Sequence, residues 1–302
     1  STPTPLTQPA TTPREFVMPG PARLGEIASM PGHAGPVSSV VFSHDGVFAV
    51  TGGQDKTVRL WDPVAAYELR QLQDASNPVV AIAFSRDDRS VYALTGQADA
   101  SGGSICVWDA GLGGSPNVIS VAEGRQVHSL AIDPNGELAA VGCHDGSIRL
   151  IDLRSQAEVR ACSGHVGPVH AVAFSRDGAA VISGGEDGAV LAFHRNTGAE
   201  VRRFAGHRGP VHAVAAAPDG SDAASAGDDQ MVRLWDLRGN KARAELRGHE
   251  QAVTSVAYNA IGDEVVSADR GGRLIVWQIP QLREQRRFEV PGGPILAVAV
   301  AP

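Results

Sequence analysis

The sequence predicts an all-β fold made of repeated four-stranded antiparallel units. A large aromatic or aliphatic residue recurs at a nearly constant interval, and the last four of these positions are 42 residues apart. Short apolar runs alternate with turn residues, and no segment shows the 3.6-residue period of an amphipathic helix. A repeat of this length indicates small units that pack on their neighbours. The recurring positions are Trp61, Trp108, Ile151, Phe193, Trp235 and Trp277.

The fourth repeat illustrates the plan of one unit. Its apolar-rich runs are four to six residues long, and turns rich in Gly, Asp and Asn separate them. Such residues accept the backbone conformations that tight hairpins need. The repeat therefore predicts an antiparallel meander, with strands at Val169–Phe174, Ala180–Ser183, Val190–Phe193 and Glu200–Phe204.

The two ends of the chain differ from the repeats. Residues 1–13, STPTPLTQPATTP, have the composition of a flexible linker, and residues 14–302 form the repeat domain. A fourth strand at Arg286–Val290 and a first strand at Ile295–Val300 follow the sixth repeat. We expect residues 14–31 to supply the remaining strands of a seventh unit and so to close a ring. Six units are the alternative, which leaves Ile295–Val300 without a role.

The repeats resemble the WD-repeat family over roughly residues 24–300. The resemblance lies in the strings GHAGPVSSVVFSHDG, GHVGPVHAVAFSRDG and GHRGPVHAVAAAPDG, and in TVRLWD and MVRLWD. It implies a β-propeller, most often of seven blades, that is not an enzyme and serves as a protein–protein interaction scaffold. The repeats are most similar to bacterial-type modules fused to other domains, so a module of a larger protein is expected.

The resemblance also implies a hydrogen-bonded tetrad in the better-formed blades. A buried indole N–H is a lone donor that needs an acceptor, which a Ser or Thr hydroxyl can be, and His and Asp can continue the chain. Blades 1 and 5 carry complete sets, and we expect them to be the most rigid. The predicted tetrad residues are His33, Thr51, Asp55, Trp61, His165, Ser183, Asp187, His207, Ser225, Asp229, Trp235, His249, Ser267 and Trp277.

The other repeats depart from this pattern. The second has Ala75 in place of His, and the fourth has Phe193 in place of Trp. The third has Val141 and Ile151 at the hydroxyl and indole positions, and the sixth has Gly271 at the acidic position. Ser, His and Asp together would suit a hydrolase, but catalysis needs one set beside an oxyanion hole. A set that recurs in several copies favours a structural role, so no catalytic residue is expected.

Two positions in each repeat are expected at one mouth of the central channel. One precedes the tetrad Asp, and the other follows the first Val of the first strand. Acidic Asp219 and basic Arg125 are expected to add to the mixed charge of this face, which suits a protein or peptide partner. The predicted partner-binding residues are Gln54, His128, His144, His170, Glu186, Arg208, His212, Asp228 and Arg270.

Three histidines stand at the same position of consecutive repeats, at His128, His170 and His212. Neighbouring imidazoles could bind a metal ion or another ligand, or sense pH. Duplication of a common repeat that tolerates a polar residue explains the same pattern. A ligand- or metal-binding sensor propeller is therefore the alternative function.

Bulk composition excludes several classes. The net charge of −7 and the few aromatic residues argue against nucleic-acid binding, and no apolar run is long enough for a membrane span. Cys106, Cys143 and Cys162 have irregular spacing, which argues against a disulfide framework or a zinc site and favours the cytoplasm. We expect no metal and no cofactor, and a monomer.

Overall fold

The computed structural model describes residues 28–96, 102–121, 124–239 and 241–302. They form 24 strands in six separate sheets, each with four antiparallel strands paired in chain order. The first strands of successive sheets lie side by side, so the sheets are blades arranged about a channel. The all-β propeller of four-stranded antiparallel blades is therefore confirmed.

The strand boundaries repeat closely from blade to blade. The first strands are β1 (Val37–Phe42), β5 (Val79–Phe84), β9 (Val127–Ile132), β13 (Val169–Phe174), β17 (Val211–Ala216) and β21 (Val253–Tyr258). The second strands are β2 (Ala49–Gly53), β6 (Ser90–Gly96), β10 (Leu138–Cys143), β14 (Ala180–Gly185), β18 (Asp222–Gly227) and β22 (Glu264–Asp269). The third strands are β3 (Val58–Asp62), β7 (Gly103–Asp109), β11 (Ser147–Asp152), β15 (Val190–His194), β19 (Met231–Asp236) and β23 (Arg273–Gln278). The fourth strands are β4 (Tyr67–Leu72), β8 (Gly113–Val121), β12 (Ala157–Ser163), β16 (Glu200–Phe204), β20 (Lys241–Arg247) and β24 (Arg283–Glu289).

The apolar core lies between neighbouring blades. The second strands are buried on both faces, and every residue of β10 and β18 is buried. Val50 and Leu60 of blade 1, for example, share a core with Val79 and Ile82 of blade 2. A single blade has no partner for these faces, so the fold depends on stacking. The fourth strands are mostly exposed and rich in charged residues, which discourages edge-to-edge pairing.

Every first strand carries a β-bulge immediately after its first residue. The pairing with the second strand skips Ser38 between Val37 and Ser39, and the other five blades skip the equivalent residue. A bulge re-aims the side chain of the extra residue. The bulged residues are Ser38, Val80, His128, His170, His212 and Thr254, which are the six first-strand positions that the sequence placed at the channel mouth.

The prediction of seven blades is wrong for the described part of the chain, which contains six, the alternative count. The predicted fourth strand after the sixth repeat is confirmed as β24. The predicted strand at Ile295–Val300 is not formed, because no described segment pairs with it along a strand. The predicted linker and residues 14–27 lie outside the described residues, and residues 28–31 are not in a strand.

Residues 295–298 nevertheless occupy the place of a first strand beside blade 6. The hydroxyl of Thr254 donates to the carbonyl of Ile295, and the N–H of Val298 donates to Ser255 Oγ at 3.1 Å. Blade 1 makes the same pair of bonds to blade 2, through Ser38 and Ser39. The last residue, Pro302, lies against Gly46 of blade 1. The segment that six blades would leave without a role therefore fills the space between blades 6 and 1.

Candidate functional site at the channel mouth

The channel mouth is the end of the channel where the first strands begin. Because neighbouring strands are antiparallel, the turn between the second and third strands of each blade lies at this same end. A volume of about 210 Å³ opens here, lined by the first strands of all six blades and by residues 296–298. Bulged side chains and turn side chains therefore meet around one opening.

Four imidazoles form a continuous row on one side of the mouth. The ring centroids of His144 and His128 are 5.4 Å apart, those of His128 and His170 are 5.5 Å apart, and those of His170 and His212 are also 5.5 Å apart. A ring nitrogen of His128 lies 3.2 Å from one of His144. The bulges of blades 3, 4 and 5 thus bring together residues that are 42 positions apart in the chain.

Two carboxylates accompany the row. His170 Nε2 lies 2.7 Å from Glu186 Oε2, and His212 Nε2 lies 2.7 Å from Asp228 Oδ1. Arg270 ends the row, with Nη2 3.3 Å from His212 Nε2 and 4.0 Å from Asp228 Oδ1. The side chain of Glu186 is 50% exposed and that of Asp228 is 40% exposed, so both carboxylates remain accessible to a partner.

The pKa of His128 is lowered by its surroundings. Burial, and then the neighbouring rings of His170 and His144, lower the pKa of His128 to about 4. The imidazole of His128 is therefore neutral at physiological pH.

The remaining predicted residues lie outside the row. Gln54 and Arg208 are exposed at the mouth end, and the described contacts contain no hydrogen bond from either side chain to the row. Arg125 is also at this end, where its Nε donates to Asp145 at 2.7 Å. The expectation for Asp219 is wrong. Asp219 lies in the turn between β17 and β18, at the opposite end of the blade, where it accepts hydrogen bonds from Ser221.

The described residues include no group of three or more His, Cys, Asp or Glu side chains arranged to hold a metal ion. In the row itself, two of the histidines direct Nε2 to carboxylates at hydrogen-bonding distance, and the rings stand beside one another. The metal-binding version of the alternative function therefore has no support.

The hydrogen-bonded tetrads stiffen the blades behind this surface. In blade 5 the indole N–H of Trp235 donates to Ser225 Oγ at 2.7 Å, and His207 Nε2 lies 2.7 Å from the same oxygen. His207 Nδ1 lies 2.8 Å from Asp229. Burial lowers the pKa of His207 although Asp229 opposes the shift, so a neutral ring donates from Nδ1 and accepts from Ser225. Blade 1 repeats the chain from Trp61 through Thr51 and His33 to Asp55.

Blade 6 corrects one expectation. The acid that the sequence appeared to lack because of Gly271 is supplied by Asp269, two residues earlier, at the end of β22. Asp269 Oδ2 lies 2.7 Å from His249 Nδ1, and Trp277 and His249 share Ser267 Oγ. Asp269 stands where blades 4 and 5 have Gly185 and Gly227, so alignment by repeat position could not find it.

Blades 2, 3 and 4 lack one or more tetrad residues, and other groups take their place. Trp108 of blade 2 donates to the backbone carbonyl of Gln73 at 3.0 Å, because Ala93 stands where blade 1 has the hydroxyl of Thr51. Blade 4 keeps His165, Ser183 and Asp187 and packs Phe193 where the indole would be. Blade 3 buries Val141 and Ile151 instead of a hydroxyl and an indole.

Comparison with known proteins agrees with this architecture. The family model described as the WD domain, G-beta repeat, matches residues 25–62, 156–193, 198–236 and 240–278, just over half of the chain. The chain belongs to the WD-repeat family. A second model, the anaphase-promoting complex subunit 4 WD40 domain, matches residues 107–167, which include the end of blade 2 and all four strands of blade 3.

Several curated WD-repeat proteins are similar to part of the chain. Protein tipD of Dictyostelium discoideum is 28% identical over 123 residues, which cover 41% of this chain and 19% of the relative. Pre-mRNA-processing factor 19 of Oryza sativa subsp. japonica is 26% identical over 147 residues, 47% of this chain and 27% of the relative. Eukaryotic translation initiation factor 3 subunit I of Debaryomyces hansenii is 27% identical over 131 residues, 40% of this chain and 37% of the relative.

The aligned part is less than two fifths of the length of each of these relatives. All three organisms are eukaryotes, so these relatives do not support the expected bacterial affinity of the repeats, which stays a prediction. Within the described part of this WD-repeat chain, no helix is long and apolar enough to cross a membrane.

The recurring Ser, His and Asp sets are poorly placed for catalysis in this propeller. Ser183, Ser225 and Ser267 are each 0% exposed. The oxygens of Ser225 and Ser267 already accept an indole N–H. A nucleophile needs a substrate within reach, so these hydroxyls act as links in the blade. Cys106, Cys143 and Cys162 are likewise buried and free, and burial raises the pKa of Cys162 to about 11.

Proposed function

We propose that this WD-repeat propeller is a non-enzymatic scaffold that binds a protein or peptide at the channel mouth. The observation that carries the proposal is the row of four imidazoles with the exposed Glu186, Asp228 and Arg270 around one opening. Polar groups of both signs on a rigid frame suit a specific protein contact. The burial of the Ser hydroxyls gives no comparable support to catalysis.

The charges of the mouth favour a partner that places a basic side chain near Glu186. Asp228 has both His212 and Arg270 beside it, whereas Glu186 pairs with the ring of His170. A Lys or Arg of the partner would form a charge-assisted hydrogen bond with this half-exposed carboxylate. The neighbouring neutral His128 adds no repulsion to an incoming cation.

The names of similar proteins agree with a role in assemblies. One relative is a subunit of eukaryotic translation initiation factor 3, and one matching family model is a domain of an anaphase-promoting complex subunit. These names describe those proteins, and for this chain they support a protein partner without identifying it.

The test is affinity capture with this chain as bait, followed by quantitative mass spectrometry. Glu186→Lys and Asp228→Lys should each remove the specific partner from the captured set. Asp263→Lys is the matched control, because Asp263 is an exposed carboxylate in the turn between β21 and β22, at the opposite end. Capture that survives both mouth variants, or that Asp263→Lys abolishes equally, would contradict the proposal.

We also propose that the chain acts as a monomeric, cytoplasmic, bacterial-type module of a larger protein and binds neither nucleic acid nor membranes. The net charge of −7 and the buried free cysteines support this view. Light scattering coupled to size exclusion tests the monomer: a mass twice that of the chain at micromolar concentration would contradict it.

A further inference from the structure

A groove of about 650 Å³ lies between blades 4 and 5, at the end opposite to the channel mouth. Its lining includes the turn between β13 and β14, the turn between β17 and β18, and the residues that follow β19. Val201 and Leu237 form apolar walls, and the side chain of Ala192 lies on the floor. We call this the blade 4–5 groove. The binding surface proposed above does not include it.

The groove has an identifiable cause in the sequence. Ala192 pairs with Ile182 on one side and with Arg202 on the other, in a row across three strands. This central position of the row holds Leu or Val in every other blade, so blade 4 lacks the atoms that fill the space against the next blade. The equivalent residues are Leu60, Val107, Leu150, Leu234 and Val276.

The neighbouring blade 5 has a charged pair at the equivalent place. In blade 5, Arg243 of β20 forms an ion pair with Asp222 of β18. Blade 4 has Val201 and Ala180 at the equivalent positions. Val201 is 42% exposed, so an apolar surface faces solvent where blade 5 has a charged pair.

Three arginines surround this apolar surface. Arg176, Arg202 and Arg238 line the groove, and none of them forms an ion pair with a described carboxylate. The guanidinium of Arg202 donates from Nη1 to the carbonyl of its neighbour Val201, and its Nε is buried without a hydrogen-bond partner. The next residue, Arg203, by contrast forms an ion pair with Glu200.

The two carboxylates at the rim are already engaged in their own turns. Asp177 accepts hydrogen bonds from Ser175 Oγ at 2.6 Å and from the N–H of Ala179 at 3.0 Å. Asp219 accepts two from Ser221. Guanidinium groups with unused donors beside an apolar floor are complementary to a ligand that carries both carboxylates and an aliphatic side chain.

We propose that the blade 4–5 groove binds an acidic linear segment of a partner protein. Its carboxylates contact Arg176, Arg202 and Arg238, and one aliphatic side chain fills the space above Ala192. A volume of this size lies within the range of pockets that hold small ligands or a few side chains. The propeller then has two independent contact sites at its two ends, one that favours basic side chains and one that favours acidic segments.

The direct test uses a fluorescein-labelled synthetic peptide of alternating Glu and Leu, measured by fluorescence anisotropy against the whole chain. Saturable binding is expected, and it should weaken steeply with salt. Ala192→Leu should reduce affinity roughly tenfold or more, because Leu fills the space that the aliphatic side chain needs. Leu occupies this position in blades 1, 3 and 5, and Ala192→Val, as in blades 2 and 6, serves if the Leu variant does not fold.

Charge variants and control peptides complete the test. Arg202→Glu should reduce affinity by a similar factor, whereas Arg286→Glu, the same change at the same position of blade 6, should have no effect. A peptide with Lys for Glu, or with Gly for Leu, should not bind. No saturable binding, equal binding by Ala192→Leu, or loss on Glu186→Lys at the mouth would each overturn the proposal. Tighter binding of a single-stranded oligonucleotide that also depends on Arg202 would overturn it in favour of a polyanion site.

Discussion

Blades 3 and 5 share the same strand arrangement but fill their buried tetrad positions in opposite ways. Blade 5 buries a complete polar chain, from Trp235 through Ser225 and His207 to Asp229. Blade 3 has Ile151 and Val141 at two of these positions and so removes the donor and the acceptor together. Its Arg125 and Asp145 form an ion pair that is about 40% exposed, where such pairs contribute little. The difference shows that a blade folds with a full tetrad or with an apolar replacement, because neither arrangement leaves a tetrad group buried and unpaired.

The largest expected effect comes from breaking the network of blade 5 at its centre. Ser225→Ala leaves Trp235 Nε1 and His207 Nε2 without a partner, at a cost of roughly 1–3 kcal/mol for each group. Urea unfolding measures the loss. The matched control in blade 3 is Ser129→Ala, because Ser129 Oγ is buried with no hydrogen-bond partner. That variant should be neutral or stabilising, and equal losses in the two blades would refute the comparison.

Blade 6 tests whether the carboxylate or its position in the turn matters. Asp269→Gly removes the partner of His249 and should cost roughly 1–3 kcal/mol of unfolding free energy. Adding Gly271→Asp returns a carboxylate to the position that blade 5 uses, so the double variant should recover most of the stability. A double variant as unstable as Asp269→Gly would show that the two positions are not interchangeable.

The pH dependence of stability should reflect histidines that are neutral in the folded state. Burial lowers the pKa values of His128, His165, His207 and His249, so the unfolded chain binds more protons below its own His pKa of about 6.5. Stability should be constant above that pH and should fall as the pH decreases towards 4. His128→Asn should make the decrease shallower, and an unchanged urea midpoint from pH 7 to pH 4.5 would contradict the assignment.

The tetrad carboxylates should cause a second loss of stability at a lower pH than the histidines. Although burial opposes it, hydrogen bonds from Ala34, His33 and Thr57 lower the pKa of Asp55 to about 2. A lowered Asp pKa contributes stability above pH 4, and this contribution is lost as the pH falls through the folded-state value. Asp55→Asn should therefore cost stability at pH 7 and less at pH 2.5, measured by thermal unfolding. An equal cost at both pH values would contradict the shift.

The smallest expected effect is a difference in amide hydrogen exchange between the blades with a complete tetrad and blade 3. Blades 1 and 5 should exchange their second-strand amides more slowly than blade 3, because their tetrads tie the loop, the second strand and the third strand together. Hydrogen exchange with mass spectrometry can rank the blades. Slower exchange at Val141 of blade 3 than at Ser225 of blade 5 would reverse the expected order.

Much of the framework could be predicted from the sequence, because the repeat period and the turn residues are local properties. The predicted first and fourth strands of the fourth repeat agree with β13 and β16 at both ends. The acid of blade 6 was missed because Asp269 reaches His249 from the strand. The blade 4–5 groove was also missed, although a signal existed in Ala192 at a position that otherwise carries Leu or Val.

By itself, the sequence determined the repeated antiparallel blades, the candidate tetrads and the recurrence of His128, His170 and His212, since these depend on residue type and spacing. Only the tertiary structure decided that bulges bring successive rings of the three to 5.5 Å from each other and that Glu186 and Asp228 pair with two of them. It also decided that residues 295–298 line the channel beside blade 6. The contacts between rings, and those of residues 295–298 with blade 6, join residues that are 41 to 43 positions apart, so they depend on how the blades stack.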